Sequence, residues 1–193
     1  MKMLKTMGSL VAAVTMLSAC GGLPQSLSTV QGTPLSNREC GYGSSERNDG
    51  VIPAMEAEIF RKTNEFRAQN GLPALLQHNC VNSVAIYHSV NMAKQNNASH
   101  VLDGLDAHGR LVAQDINVSW WGENIQLAWW TQNGQPAWDA NAYPGIAMTF
   151  WINSPGHRAN MLNANFRYLG VGVSKTQVGD KWYYYATQIF MTE

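Results

Sequence analysis

The strings WGENI (residues 121–125) and WINSPGHRANML (residues 151–162) are the most informative part of this sequence. The first places Glu123 directly after a glycine, and the second places His157 directly after a proline-glycine pair. His100 precedes both strings and follows a run of small polar residues, so it is expected on a loop. Carboxylate and imidazole side chains bind metal ions and transfer protons. The three residues therefore predict one polar site.

These strings resemble the signatures of the CAP superfamily, which comprises the cysteine-rich secretory proteins, antigen 5 and the plant pathogenesis-related class 1 proteins. The Ser-Pro-Gly-His-Arg run at residues 154–158 is similar to that of the compact bacterial members, and the resemblance covers roughly residues 57 to 192. It implies an α+β fold, an α-β-α sandwich whose central antiparallel sheet is flanked by helices. Because one fold can carry many functions, the resemblance predicts the fold better than the activity.

The resemblance implies a role for each of the three polar residues. His100 and His157 take the places of the two cleft histidines, and Glu123 takes that of the glutamate in the Gly-Glu-Asn motif. Two neutral imidazoles can coordinate a divalent cation such as Zn²⁺. A nearby carboxylate orients an imidazole or activates bound water, which makes Glu123 the candidate catalytic base. Two histidines alone predict an open, weak zinc site; the alternative is a hydrogen-bonded Glu-His cluster without a metal.

One position departs from the family pattern. Many eukaryotic members carry a second glutamate shortly after a tryptophan, but Ser154 stands at the matching position here. The missing carboxylate weakens a four-residue metal site and any acid/base pair. Ser154 is expected to cap the turn that follows it, and Asn124 and Arg158 are expected to support the site through hydrogen bonds to neighbouring loops. A serine-hydrolase interpretation of Ser154 with His157 lacks a nucleophile elbow.

Three further histidines are left out of the predicted site. His88 lies on the apolar stripe of a predicted helix and is expected to be a hydrogen-bonded core or edge residue. His78 and His108 have no partner that the sequence reveals. His108 is close enough to His100 along the chain to be the reserve ligand.

The first 19 residues predict an export signal. A basic start with Lys2 and Lys5 precedes the apolar run 10–17, which is too short to span a bilayer. The ending Leu17-Ser18-Ala19-Cys20 resembles a bacterial lipoprotein signal, in which Cys20 becomes the lipidated first residue; the alternative is an ordinary secretory peptide. Because Gly21 is not the aspartate that retains lipoproteins in the inner membrane, we expect anchoring at the cell envelope, in the outer membrane if the host has one.

Residues 20–50 are predicted to form the lipidated N-terminus and a flexible tether, because they are rich in Gly, Ser, Pro, Asn and Thr without apolar periodicity. If Cys20 is lipidated, Cys40 and Cys80 are the only possible pair in an oxidising compartment. We therefore expect a disulfide between them. The alternative is two separate thiols.

Residues 51–193 are predicted to form one CAP/SCP-like domain, long enough for a single hydrophobic core. Apolar periodicity predicts three helices, over residues 53–70, 80–96 and 144–153. It predicts three strands, over residues 123–129, 169–174 and 181–191. Helices early and strands late, without regular alternation, favour an α+β arrangement.

Charge gives no indication of a nucleic-acid partner. Without Lys2 and Lys5 of the leader, 11 basic and 13 acidic residues remain, so the formal charge is −2 and no basic patch is visible. Composition gives no indication of the oligomeric state.

The favoured function is a lipid-anchored binding module at the cell envelope, whose cleft or aromatic surface engages a lipid, glycan or protein. Rings that can line such a groove are frequent around residues 120–143: Trp120, Trp121, Trp129, Trp130, Trp138 and Tyr143. The alternative is a metal-assisted hydrolase of peptide or envelope polymer, with His100 and His157 as ligands and Glu123 as base. A purely structural envelope protein is the third possibility. The missing second carboxylate favours binding over catalysis.

Overall fold

The computed structural model describes Cys40 and residues 50–131 and 138–193. Its helices and strands are α1 (Val51–Gln69), β1 (Leu76–Gln77), α2 (Asn79–Gln95), α3 (Ala107–Val112), β2 (Trp120–Thr131), α4 (Ala142–Asn153), α5 (Pro155–Met161), β3 (Tyr168–Val178) and β4 (Lys181–Thr192). The three predicted helices and three predicted strands are confirmed, with ends that differ by a few residues. The sequence analysis missed β1, α3 and α5.

One four-stranded sheet forms the middle layer, in the order β1-β3-β4-β2. Strands β3 and β4 form an antiparallel hairpin, and β2 pairs antiparallel with β4 along its whole length, with Glu123 opposite Ile189. The expected antiparallel sheet is confirmed except for β1, which adds two residues parallel to β3. Among the described strands β2 has only β4 as a neighbour, so it lies at the edge of this sheet.

Helices cover both faces of the sheet, as the sandwich requires. One face packs on α1, α4 and α5 around a cluster that includes Met55, Ile59, Ala147, Trp151, Met161, Val171 and Phe190. The opposite face packs on α2 and α3 around Val81, Val84, Ala85, Leu111, Ile189 and Met191. Each cluster combines helical positions three or four residues apart with alternate strand positions, which is why the periodicity predicted them. The α-β-α architecture is confirmed.

Helix α2 approaches β3 closely enough that two strand positions accept only glycine. A Cβ atom built on Gly172 would lie 2.3 Å from the carbonyl carbon of Ala85, and one on Gly170 would lie 2.4 Å from that of Val81. Backbone atoms of the helix therefore rest directly on the strand. This contact fixes the depth of α2, and with it the position of His88 on the same helix.

The predicted disulfide between Cys40 and Cys80 is confirmed, with the two Cα atoms 5.2 Å apart. It joins the segment before α1 to the first turn of α2 and closes a loop over a sequence separation of 40 residues. A cross-link of this span stabilises a fold by about 2–4 kcal/mol, chiefly by restricting the unfolded chain. The bridge therefore ties the end of the predicted tether to the domain.

The predicted signal segment, Cys20 and most of the predicted tether lie outside the described residues and stay predictions. Among the residues that the structure describes, none of the helices is both long enough and apolar enough to cross a bilayer.

Candidate functional site

Glu123 is the centre of the candidate site. It lies on edge strand β2 with its side chain turned towards α2 and α3, and that side chain is only 3% exposed. Its Oε1 accepts a hydrogen bond from Nδ1 of His100 at 2.9 Å, and its Oε2 accepts one from Nη2 of Arg110. Because a carboxylate only accepts, Nδ1 of His100 carries the proton. The other nitrogen, Nε2, lies on a side chain that is 54% exposed.

Arg110 is a member of the site that the sequence analysis missed. It projects from α3, is fully buried, and ion-pairs with Glu123. Its Nη1 also donates to the main-chain carbonyls of His100 at 3.2 Å and Leu105 at 2.7 Å. One guanidinium therefore holds both the buried carboxylate and the loop that carries the histidine. The sequence did not indicate Arg110 because its helix, α3, is only six residues long and was not predicted.

The loop that presents His100 is held by polar contacts to α2. Asp103 accepts hydrogen bonds from the side-chain amides of Asn91 and Gln95, each at 3.1 Å. Asp103 and Gly104 both have positive φ angles, which form the tight turn between Leu102 and Leu105. The histidine is thus presented from a fixed loop.

His88 lies beneath the site. It is buried on α2 as expected, with Nε2 3.9 Å from Oε2 of Glu123. Burial lowers the pKa of His88 to about 4, although the Glu123 carboxylate opposes that shift. The imidazole is therefore neutral near pH 7. The predicted core position of His88 is therefore confirmed, and the main chain of Ser99 and the carboxylate of Glu123 both oppose the lowering of its pKa.

Helix α5 is attached to β2 by a buried amide network. Asn124 donates from Nδ2 to the main-chain carbonyl of His157 and to Oε1 of Gln188, each at 3.0 Å. Nδ2 of Asn160 donates back to Oδ1 of Asn124 at 2.8 Å, and Nε2 of Gln188 donates to Thr63 of α1 at 2.7 Å. Four elements, α1, β4, β2 and α5, are linked in this way. The network holds the backbone of His157 beside the edge of the sheet.

The imidazole of His157 is half-buried against the ring of Phe150, with centroids 5.4 Å apart. Its Nδ1 is buried without a partner among the residues described. Burial lowers the pKa of His157, and positive charge on His100 lowers it further. Both effects disfavour the protonated form of His157.

The two other supporting residues do not perform their predicted tasks. Ser154 joins α4 to α5, but in the described chain its side chain makes no capping hydrogen bond to α5; only its main chain bonds to the adjoining turns. The guanidinium of Arg158 lies over the ring of Phe66 on α1, 5.0 Å from its centroid. The contact of Arg158 with Phe66 joins α5 to α1.

His78 and His108 also have structural partners. Nδ1 of His78 accepts the main-chain N–H of Val81 at 3.3 Å and so caps the start of α2. His108 stacks on Trp121, with ring centroids 5.8 Å apart and an interplanar angle of 19°. The reserve ligand of the sequence analysis therefore forms part of an aromatic wall beside Glu123.

The aromatic residues that were predicted to line one groove lie in separate parts of the structure. Trp138 packs with the buried rings Tyr143 and Tyr184 on the α1/α4 face. Trp129 is 55% exposed, with the ammonium of Lys181 4.5 Å above its ring. The tryptophans at positions 120 and 121 lie near the opposite end of β2. The described rings therefore do not line one continuous groove.

The candidate site offers few side chains that could bind a metal ion. Within the residues that the structure describes, no group of three or more His, Cys, Asp and Glu side chains is arranged to hold a metal ion. Both oxygens of Glu123 are already hydrogen-bonded. A histidine that donates one ring N–H to a carboxylate is nevertheless the usual form of a zinc ligand, with the carboxylate as an orienting group. A cation bound here would therefore depend on the imidazoles of His100 and His157, with Glu123 as the group that orients His100.

An α-β-α sandwich with a hydrogen-bonded Glu123–His100 pair on its edge strand is the arrangement expected of a CAP, or SCP-like, domain. A family comparison matches residues 60–190 to CAP, the cysteine-rich secretory protein family. The chain belongs to this family, as its sequence strings predicted.

Known relatives agree with this assignment. The chain is 32% identical over 133 residues to the "Uncharacterized membrane protein YlbC" of Bacillus subtilis (strain 168), a match that covers 68% of this chain and 35% of that protein. An extracellular protein containing a SCP domain from Bacillus anthracis is 34% identical with a TM-score of 0.56, over 74% of this chain and 42% of that one. An outer surface protein from Borrelia burgdorferi has the same fold at 16% identity and a TM-score of 0.56, over 73% and 93% of the two chains.

The match covers only part of the first two relatives. The chain spans about a third of the length of the Bacillus subtilis protein and less than half of the Bacillus anthracis protein. The similarity therefore extends over only part of each of these two proteins.

Proposed function

We propose that this chain is an extracytoplasmic binding module, anchored to the cell envelope through a lipid on Cys20, whose cleft at His100, Glu123 and His157 engages an envelope ligand. The names of its relatives support this location, since they describe an extracellular protein, an outer surface protein and a membrane protein. The confirmed disulfide is also typical of exported proteins.

We favour binding over catalysis because both carboxylate oxygens of Glu123 already accept hydrogen bonds. A general base must present a carboxylate oxygen to water or substrate. Glu123 is buried, and its two oxygens accept hydrogen bonds from His100 and Arg110. Breaking the buried ion pair to free an oxygen would cost about 3–5 kcal/mol. Glu123 is therefore better suited to orient His100 than to abstract a proton.

The proposal includes a weak divalent-cation site on the two imidazoles. His100 and His157 would hold the ion, and Glu123 would fix the tautomer of His100. A bound ion would supply a Lewis acid that polarises a carbonyl oxygen of the ligand.

Zinc titration calorimetry tests the cation site. The mature chain from residue 20 onwards, with Cys20→Ser to prevent lipidation, is compared with the same chain carrying His100→Ala and His157→Ala. We expect saturable binding that the double substitution removes, while circular dichroism shows an unchanged fold. His108→Ala is the matched control, because His108 is an exposed histidine held by Trp121. Equal zinc binding by the double variant would contradict the site.

A hydrolase is the second candidate, and the pair formed by Glu123 and His100 is the observation that favours it. A carboxylate that orients an imidazole leaves the far nitrogen able to act as a base. The base would then be Nε2 of His100 and not the carboxylate. Release of labelled fragments from azocasein and from cell-wall polymer measures the activity. Turnover that is lost in both His100→Ala and Glu123→Gln, with folding intact, would establish the enzyme and displace the pure binding role.

A further inference from the structure

Strand β2 has a series of main-chain groups that point away from β4. On a paired strand the N–H and C=O groups of alternate residues point to opposite sides. The main-chain carbonyl of Glu123 accepts a hydrogen bond from Nδ2 of Asn160 at 3.2 Å, and that of Ile125 accepts one from Nε1 of Trp151 at 2.9 Å. Neither donor belongs to β4. The odd-numbered residues of β2 therefore turn their main-chain groups outward.

Side chains from helices occupy the outer edges of the sheet at several other positions. The two donors just described do so in the first half of β2. On the opposite edge, beyond the end of β1, the N–H of Val171 donates to Oδ1 of Asn82 and that of Val173 donates to Oε1 of Glu56, each at 2.9 Å. These contacts prevent another chain from pairing at those positions.

Residues 127–131 are the part of β2 whose outward groups have no such partner. Leu127 is 40% exposed and Trp129 is 55% exposed. Among the residues that the structure describes, no hydrogen bond reaches the outward main-chain groups of Leu127, Trp129 or Thr131. Residues 124–131 also contain no charged residue and no proline, which are the usual protection of an exposed edge. We call residues 127–131 the open edge.

The main-chain groups of the open edge select the class of partner. They repeat at every second residue, about 6.8 Å apart along the strand. Another extended polypeptide presents C=O and N–H groups at the same repeat and can pair with each of them. An acyl chain has no donor or acceptor, and a bilayer surface has no fixed repeat. The partner that fits is therefore a strand.

Charge beside the open edge selects among strands. The ammonium of Lys181 lies 4.5 Å from the ring centroid of Trp129, and none of the ion pairs among the described residues includes it. Opposite residues of paired strands lie on the same face, so an acidic residue opposite Trp129 would come near this ammonium. A second copy of this chain, paired antiparallel through the same residues, would bring two such ammonium groups together. Charge therefore favours an acidic partner over self-pairing.

We propose that the open edge binds an extended, acidic segment of another polypeptide as an added strand of the sheet. The N–H groups of Leu127 and Trp129 donate to carbonyls of the partner, and their own carbonyls accept its N–H groups. A partner carboxylate pairs with Lys181. This surface follows Glu123 along β2 by four to eight positions, about 13–27 Å, so the inference goes beyond the proposed cleft and does not depend on it.

NMR titration of the isotope-labelled mature chain, with Cys20→Ser, tests the inference. The probe is an acetylated, amidated heptapeptide that alternates Thr and Val around a central Glu, and a second peptide has Lys in place of Glu. We expect the amide signals of Leu127 and Trp129 to shift. The Glu peptide should bind about fivefold more tightly than the Lys peptide, with a smaller difference in high salt. Leu127→Pro should abolish binding and leave the fold intact, because the N–H that it removes points away from β4.

Alternate N-methylation of the peptide supplies a matched control. Two forms of the Glu peptide carry N-methyl groups on either their odd or their even residues. An added strand turns only one of these sets of N–H groups towards β2, so one form should bind and the other should not. Equal binding of the two forms, unshifted signals of Leu127 and Trp129, or equal affinity for the Glu and Lys peptides would overturn the inference. This comparison needs no substitution in the open edge, so it stays valid if Leu127→Pro fails to fold.

Two other results would give the open edge a different partner. Binding to phosphatidylglycerol vesicles without peptide binding, lost in Trp129→Ala and retained in Leu127→Pro, would replace the strand by a membrane surface. A dimer in analytical ultracentrifugation that Leu127→Pro dissociates would replace the acidic partner by a second copy of this chain. Either result would overturn the proposal.

Discussion

Replacement of His88 by leucine is expected to make the stability of the fold less sensitive to acid. The imidazole is buried, and burial lowers its pKa in the folded state to about 4, from 6.5 in an unfolded chain. Between these values the unfolded chain binds the proton and the folded chain does not, so stability falls as pH falls from about 6.5 to 4. The difference corresponds to about 3 kcal/mol. Leucine is similar in size and has no proton to bind.

The assay is urea unfolding of the wild-type chain and of His88→Leu at pH 7 and pH 4, followed by tryptophan fluorescence. The wild-type chain should lose about 3 kcal/mol more than the variant over this interval. His108→Ala serves as control, because it removes an exposed histidine from the same side of the sheet. Parallel stability curves for the wild-type chain and His88→Leu would refute the reasoning. They would mean that the charged imidazole pairs with Glu123, only 3.9 Å away, at no net cost.

Several further substitutions have defined outcomes in urea unfolding. Gly172→Ala should destabilise the fold by about 3 kcal/mol or more, because its Cβ would lie 2.3 Å from the backbone of α2; Gly145→Ala, with nothing within 4 Å, should stabilise α4 by up to about 1 kcal/mol. Arg110→Met should cost about 3–5 kcal/mol by removing the cationic partner of the buried Glu123, and adding Glu123→Gln should restore part of it. Cys40→Ala should cost about 2–4 kcal/mol, as should reduction of the wild-type chain. Unchanged unfolding free energies would contradict each argument.

Periodicity was sufficient for the long elements and insufficient for the short ones. Helices α1 and α2 and strand β4 each span 12 residues or more, so their buried positions repeat several times. Helix α3 has six residues and contains Gly109, and β1 has two residues. Neither is long enough for a repeat to be visible. Strand β1 exists because it pairs with β3, a contact between distant segments that no local pattern contains.

The residues of the candidate site also fall into two groups, those that local sequence indicates and those that only tertiary contacts bring together. Distinctive local strings indicated Glu123 and His157, whereas the family resemblance indicated His100; the structure joins His100 directly to Glu123. Arg110 and His88 meet Glu123 only through tertiary register: α3 crosses the start of β2, and α2 rests on the two glycines of β3. Sequence spacing gives the buried side of α2 correctly. It does not reveal that a carboxylate on another element lies opposite, which decides whether a buried histidine is structural or part of a site.

The charge balance of the cleft connects these findings to the nature of its ligand. Glu123 contributes a buried carboxylate, and Arg110 neutralises it within the fold. Ser154, at the position of the second family glutamate, contributes no charge, and the low pKa of His88 keeps that residue neutral near pH 7. A cation in the cleft would therefore gain little electrostatic attraction beyond the imidazole lone pairs, so zinc binding should be weak.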